Sequence, residues 1–381
     1  MRILAVNAIS FVGGAEEWLL HLVSRLAPRG HRIDVAHDPR SPLGRRAREA
    51  GVAGVWTLPH GSAARPRAAA RVARRARRER YDVIVSTSRS DLVAAGLGAR
   101  LAGLPGTVAR LNSGWSPHDP IVHRGWTWRR HRAYHRRLVH LAATNSMAGK
   151  ADLVTRGFLE PERIEVIHNG VDADRFDPAR VVPGRFRSEL AIPAGASLVV
   201  SAARYAPGRA QEAEVDAAGR LVASRPDLWF VFAGSCRPAD RGFRESLRAR
   251  ARAFPHGERI VFFETREDMP SILRDADVLA RVMSSEGLAN VALEAMAMEV
   301  PVVAAAIAGM PEAVQEGVTG HLVAPGDAAS IAGAVERILA LPPERRREMG
   351  RRGRSAVRER FSLSAMTDRY EALFERARCQ E

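Results

Sequence analysis

The amino-acid sequence predicts an α/β protein built from two doubly wound, parallel-sheet domains. Three observations carry this expectation. Short β-rich runs alternate with helical patterns through the first half, as βαβ units require. The alternation restarts after a break marked by Pro178, Pro183 and Gly184. A chain of 381 residues is long enough for two domains, each burying a core of its own.

In the first half the expected elements are 3–7, 17–26, 32–36, 67–80, 83–86, 91–101, 107–110 and 142–145, followed by a strand from 164 that ends at the Asn169-Gly170 turn. The second half repeats the pattern over 198–202, a helix to 225, 229–233, 243–253, 260–263, 269–275, 278–280, a helix within the stretch 285–297 with Glu286 at its mouth, and 301–305. The domains are therefore placed at 1–178 and 184–362. In such folds the working loops follow the carboxyl ends of the strands.

Composition narrows the function. The formal charge is +15, but residues 1–150 hold 26 basic and 9 acidic side chains while the remainder is close to neutral. Arginine bias alone cannot produce that asymmetry, so the first half is expected to meet something anionic. Two cysteines, Cys236 and Cys379, cannot build a disulfide framework, and no Cys/His set has metal-ligand spacing. No apolar run approaches the roughly 18 residues of a membrane span. The apolar start, 1–6, is cut short by Gly13-Gly14-Ala15-Glu16 and reads as a buried strand rather than a leader. No nucleic-acid recognition module accompanies the charge.

Several stretches offer chemistry. Gly13-Gly14 before a helix lets backbone approach a ligand and presents N–H groups to phosphate, although the same pair would serve an ordinary turn. The run 65–80 carries eight arginines among alanines and reads as a solvated helix face. The run 124–138 instead interleaves Arg124, Trp126, Trp128, Arg129, Arg130 and Tyr134, a mixture suited to an anionic acceptor or a headgroup interface, or to a helix whose rings face inward. Loop 112–120, with Asn112, His118 and Asp119, is a candidate acceptor lid. Asp275-Ala276-Asp277 has the look of a metal-binding pair, but it falls at a helix-to-strand junction and reads as structural. Glu286 and Glu294 would stand about 12 Å apart along a helix. A glycosidase acid and nucleophile need roughly 5–9 Å. Each acid should therefore do a separate job, beside a helix N-terminus that favours anions.

Taken in order, these residues resemble the family-4 glycosyltransferases. The resemblance rests on Gly13-Gly14-Ala15-Glu16, Asn169-Gly170-Val171-Asp172, Arg204 with Arg209, Phe232-Ala233-Gly234-Ser235, Glu286 with Leu293-Glu294-Ala295-Met296-Ala297, and Gly309-Met310-Pro311-Glu312 with Gly317-Val318-Thr319-Gly320. It implies a GT-B fold, two Rossmann-like domains facing across a cleft, and a last helix at about 365–381 packing back on the first. It also implies a retaining, metal-independent transfer from a nucleotide-diphosphate sugar, a UDP- or GDP-sugar, with no permanent cofactor. Glu286 would contact the donor sugar and Glu294 the ribose. Arg204 and Arg209 would clamp the diphosphate. Gly13, Gly14, Gly234, Gly287, Leu288, Ala289 and Asn290 would line the donor. The basic first half suggests an anionic envelope acceptor, such as a lipopolysaccharide core or lipid-linked saccharide, in the cytoplasm or at the inner face of the membrane. A binding or scaffold protein that has lost turnover is the alternative. Its motive lies in departures from the family pattern: Arg209 for lysine, Ala210, Glu264 and Glu299 for glycine, and Val282-Met283 for Pro-Ser. Asn112 or Ser113 stands where the family often has histidine.

Overall fold

In the computed structural model the described residues are 1–9, 14–59, 65–112, 125–264, 268–284 and 287–379. They form two compact units, Met1–Gly170 with Leu363–Glu381, and Val171–Ser362.

The first unit runs β1 (Arg2–Asn7), α1 (Gly14–Leu26), β2 (Arg32–His37), α2 (Leu43–Glu49), β3 (Gly54–Thr57), α3 (Arg65–Glu79), β4 (Val83–Ser86), α4 (Leu92–Ala102), β5 (Thr107–Arg110), α5 (Gly125–Leu138), β6 (Val139–Thr144), α6 (Met147–Thr155) and β7 (Ile164–Val166). Among the described residues its sheet has seven strands, ordered β3-β2-β1-β4-β5-β6-β7. Every pairing is parallel, with Ile3 opposite Ile33 on one side and Val83 on the other. Helices cover both faces, which is why β4 and β5 are buried at each position. One face packs Trp18, Leu22 and Val23 of α1 against Tyr370, Leu373 and Phe374. The other face packs the alanines of α3 against α4. A Cβ on Gly98 would stand 2.5 Å from Val72, so small residues set this close approach. Arg67, Arg71, Arg74 and Arg78 of α3 are exposed, while Arg77 reaches over to the Leu101 carbonyl of α4.

The second unit runs α7 (Arg185–Glu189), β8 (Ser197–Ala202), α8 (Gln211–Ser224), β9 (Leu228–Ala233), α9 (Arg241–Arg252), β10 (Ile260–Phe263), α10 (Met269–Asp275), β11 (Val278–Arg281), α11 (Asn290–Ala297), β12 (Val302–Ala305), α12 (Met310–Ala313), β13 (Gly320–Val323), α13 (Ala328–Leu339) and α14 (Pro343–Arg360). Its described sheet has six parallel strands, β10-β9-β8-β11-β12-β13. The final helix, α15 (Leu363–Cys379), belongs to the first unit.

The chain divides at 170/171, ahead of the proline-rich segment 178–184 that composition singled out. Val171 and Phe176 bury their side chains in the second unit's core beside Phe186 and Leu198, and the Val171 N–H donates to the Phe361 carbonyl at 2.8 Å. Side-chain burial, not backbone punctuation, sets that boundary. Asp275 and Asp277 have a structural duty. Asp275 accepts the Phe186 and Arg187 amides at 2.8 and 3.0 Å at the start of α7, while Asp277 accepts the Leu198 amide at 2.9 Å and Arg187 Nη2 at 2.8 Å. Among the described residues no helix is long and apolar enough to cross a membrane.

Candidate functional site

In the second unit the strand order reverses between β8 and β11, the position where doubly wound sheets open a crevice for ligands. Arg204 lies two residues beyond β8 and Arg209 seven residues beyond it. The turn between them is fixed from the neighbouring strand, because the Ser284 hydroxyl beyond β11 donates to the Gly208 carbonyl at 3.0 Å. Arg204 also reaches Asp240 at 3.5 Å, and Asp240 accepts Arg237 Nε at 2.6 Å. Burial lowers the pKa of Arg204, and the nearby Arg209 and Arg237 charges lower it further. Arg237 holds the Asp240 carboxyl below its usual range. Three guanidiniums and one carboxylate thus share this corner, an excess of positive charge at a strand end.

Gly234 follows β9 directly, and its amide donates to the Phe263 carbonyl at 3.0 Å. A Cβ there would fall 1.9 Å from the Ala203 carbonyl oxygen. The absence of a side chain lets the loops after β8 and β9 run together as Tyr205 and Cys236 pair. Gly234 therefore has a packing reason, independent of any ligand, to be glycine.

Gly287, Leu288 and Ala289 are buried and lead into α11, whose N-cap Ala289 offers no side-chain cap. Asn290 and Glu294 are half-buried on the first turns. The Gly287 carbonyl accepts the Gly309 amide at 3.3 Å, which brings the Gly309-Met310-Pro311-Glu312 turn to the same strand edge. Glu286 lies outside the described residues, as do Gly13, His118, Asp119 and Arg124.

Two departures from the family pattern acquire a backbone reading. Ala210 has φ 61° and Glu299 φ 62°, both left-handed. Glycine reaches that region without strain, whereas a Cβ costs about 1 kcal/mol. Glu299 closes α11 with paired bonds, Glu299 N–H to Met296 and Val300 N–H to Ala295 at 3.1 and 2.9 Å, the Schellman pattern that favours glycine. Glu264 is different. It has no positive φ, and its carboxylate takes Arg244 at 2.7 Å.

Residue patterning did not reveal Glu214. This acid on α8 is fully buried and accepts the Ser201 hydroxyl at 2.8 Å and the Val282 amide at 2.7 Å. It clips β8 to the exit of β11 beneath the loops that carry Arg204, Ser284 and Gly287.

The first unit has a comparable buried set at its own switch point, between β1 and β4. Asn7 Nδ2 donates to Glu16 at 2.7 Å and to Thr87 at 2.8 Å, while Asp91 accepts the Ala8 amide and the Thr87 and Ser88 hydroxyls at 3.0 and 2.8 Å. Burial pushes the Asp91 carboxyl up to about 6 despite these donors. Asn7 and Glu16 therefore tie the end of β1 to the start of α1. Arg110, at the end of β5, is 3% exposed, lies 4.7 Å over the Trp18 ring and donates to Asn169 at 3.2 Å. With its carboxamide oxygen turned toward Arg110, Asn112 accepts the two guanidinium nitrogens at 2.8 and 3.0 Å. Asn112 is thus a brace for a buried arginine as well as an acceptor candidate.

Trp126, Trp128 and Arg130 lie on α5, while Arg129, Arg132, Tyr134, Arg136 and Arg137 are exposed along it. The inward face includes buried His135, 4.7 Å from the Phe158 ring. Gly14 opens α1 and is exposed.

Comparison with known proteins gives two family matches. The family described as Glycosyl transferases group 1 matches residues 184–356, and Glycosyltransferase Family 4 matches residues 12–175. A D-inositol 3-phosphate glycosyltransferase of Mycobacterium sp. (strain JLS) is 34% identical over 193 residues, 50% of this chain and 43% of the relative. That of Mycobacterium tuberculosis (strain F11) is 31% identical over 220 residues, 57% of this chain and 45% of the relative. The chain spans less than half the length of these curated relatives. Among solved structures, Anabaena HepE in complex with UDP and glucose superposes with TM-score 0.84 at 20% identity, over 98% of this chain and 99% of that one. The lipopolysaccharide outer core galactosyltransferase WaaB does so with TM-score 0.66 at 14% identity, over 99% and 100%. At such identities the likeness is one of fold.

Proposed function

Since the chain belongs to the family-4 glycosyltransferases and has their GT-B fold, we propose that it transfers a sugar, with retention at the anomeric carbon, from a nucleotide-diphosphate sugar to an anionic acceptor. The observation that carries this is the arginine corner at the β8/β11 switch point. Transfer of this kind expels a nucleoside diphosphate, so catalysis needs positive charge aimed at the departing phosphates. On this reading Arg204 and Arg209 supply it, with Arg204 held by Asp240, which also accepts Arg237.

Glu294, on the second turn of α11, is assigned the ribose hydroxyls, and Glu286 the donor sugar. Gly287, Leu288, Ala289 and Asn290 bring the start of α11 toward the donor. The UDP and UDP-glucose named with Anabaena HepE favour a uridine donor. The D-inositol 3-phosphate in the names of the mycobacterial relatives favours a phosphorylated acceptor, in keeping with the basic first half. A lipopolysaccharide or lipid-linked acceptor at a membrane face fits the same charge. The replaced glycines that motivate a scaffold reading keep the left-handed backbone at Ala210 and Glu299, which supports turnover rather than its loss.

Isothermal titration with UDP, GDP and their sugars tests the reading. One nucleotide diphosphate should bind, and R204Q should weaken it at least tenfold, about 1.4 kcal/mol. Transfer should vanish in Glu286→Gln while nucleotide binding remains. Failure of every nucleotide to bind the intact chain would overturn it.

A further inference from the structure

A cluster of arginines in the first unit gathers around one pocket. Arg71, Arg74, Arg75 and Arg78 of α3 follow the i, i+3, i+4, i+7 spacing that places four side chains on one helical stripe. Together with Trp56 they line a pocket of ≈ 450 Å³. Trp56 belongs to β3, the edge strand of the sheet, so the pocket lies between a sheet edge and the helix beside it.

Four guanidiniums at this spacing repel one another, a standing cost that an anion relieves. Local acids relieve only part of it. Glu79 lies 3.6 Å from Arg75 and 3.7 Å from Arg78, and it is shared with Arg32 at 3.3 Å. Among the described residues no carboxylate lies within ion-pair distance of Arg71 or Arg74, and both are exposed. Trp56 Nε1 and Arg75 Nε, on two of the lining residues, are buried without a hydrogen-bond partner among the described residues.

A solvated helix face does not require this arrangement. Arg71, Arg74 and Arg78 are exposed, yet together with Arg75 and the Trp56 indole they border one pocket. The guanidinium fork matches phosphate oxygens bidentately, and the indole offers a flat apolar surface beside them. We propose that this pocket binds a phosphate ester carrying at least two negative charges, borne either by a soluble metabolite or by a lipid headgroup. The site does not rest on the donor-site assignment.

The test uses the full chain with inorganic tripolyphosphate as probe, followed by tryptophan fluorescence at low salt. The intact protein should show a saturable change that weakens as salt rises. R71Q/R74Q/R78Q should lose affinity at least tenfold with an unchanged melting temperature, and R74Q alone carries the test should the triple variant unfold. W56F should remove the fluorescence change. R204Q/R209Q should keep it, which separates this pocket from the arginine corner of the second unit. Sedimentation with vesicles of anionic phospholipid then identifies the source. Retention that the triple variant loses assigns the phosphate to lipid, and indifference to vesicles alongside tripolyphosphate binding assigns it to a soluble ester. Equal binding of tripolyphosphate by the triple variant and the intact chain would overturn the proposal.

Discussion

The Glu214 carboxylate accepts the Val282 amide at 2.7 Å, in a position where proline would have no hydrogen to give. The family pattern usually has proline there. Buried acid and buried amide therefore depend on each other. V282P should strand a carboxylate and E214L should strand an amide, each costing about 1–3 kcal/mol. The double variant removes both groups and should recover about 1–2 kcal/mol of the summed loss. Urea unfolding of the four proteins measures this, and strict additivity would refute the coupling.

Ala210 and Glu299 predict gains. A210G and E299G should each stabilise by about 0.5–1 kcal/mol, because both positions are left-handed. The ion pair lost with Glu299 is a loose one, 3.9 Å from Arg354. Unfolding midpoints decide the matter, and a lower midpoint for A210G would show that the strain is illusory.

Gly234→Ala should do the opposite. Its Cβ, whose position the backbone fixes, would meet the Ala203 backbone carbonyl oxygen at 1.9 Å, so neither atom can swing aside. A loss of about 2–4 kcal/mol is expected. Nucleotide affinity should fall with it, since Arg204 follows Ala203 directly. Calorimetric melting and titration with the nucleotide that the intact chain binds would check both.

Asp91 gives a pH dependence. Burial raises its carboxyl from the ordinary 3.8 to about 6, so the folded chain holds this proton more tightly than the unfolded one. The associated stability is complete below about pH 4 and is lost as pH rises through 6, to a total of about 2–3 kcal/mol. D91N stays neutral throughout. Its stability relative to the parent should therefore climb between pH 4 and 6 and then level off, whereas parallel denaturation curves across that range would contradict the account.

Much of this was legible in the residues. Alternating strands and helices gave both sheets, since parallel strands covered on two faces must read as continuous apolar runs. Positions 210 and 299 stood out as replaced glycines, and the backbone there is left-handed. Glu214 was hidden because a glutamate within a helix reads as solvated, and its two donors come from strands distant in the chain. Asp91 and Arg110 were hidden because a single charged residue at the edge of an element reads as solvated, and the Ala8 amide and Asn169 that hold them lie far away in the chain. The compact units divide at 170/171, ahead of the segment 178–184, because proline and glycine report where backbone bends, not where Val171 and Phe176 are buried. A neighbouring carbonyl, that of Ala203, requires glycine at 234, a packing demand that sequence patterning does not show.

The first unit is interrupted in sequence: it stops at Gly170 and resumes at Leu363. Its missing piece, α15, supplies Tyr370, Leu373 and Phe374 to the face that also holds Trp18. On a ribosome working at roughly 5–20 residues per second, the first unit would wait roughly 10–40 seconds for that helix, with an apolar face uncovered. The second unit is continuous and can fold while its predecessor is still incomplete. Order of synthesis and order of completion are therefore reversed, and a fragment ending at 170 should be sticky where the joined segments 1–170 and 363–379 are not.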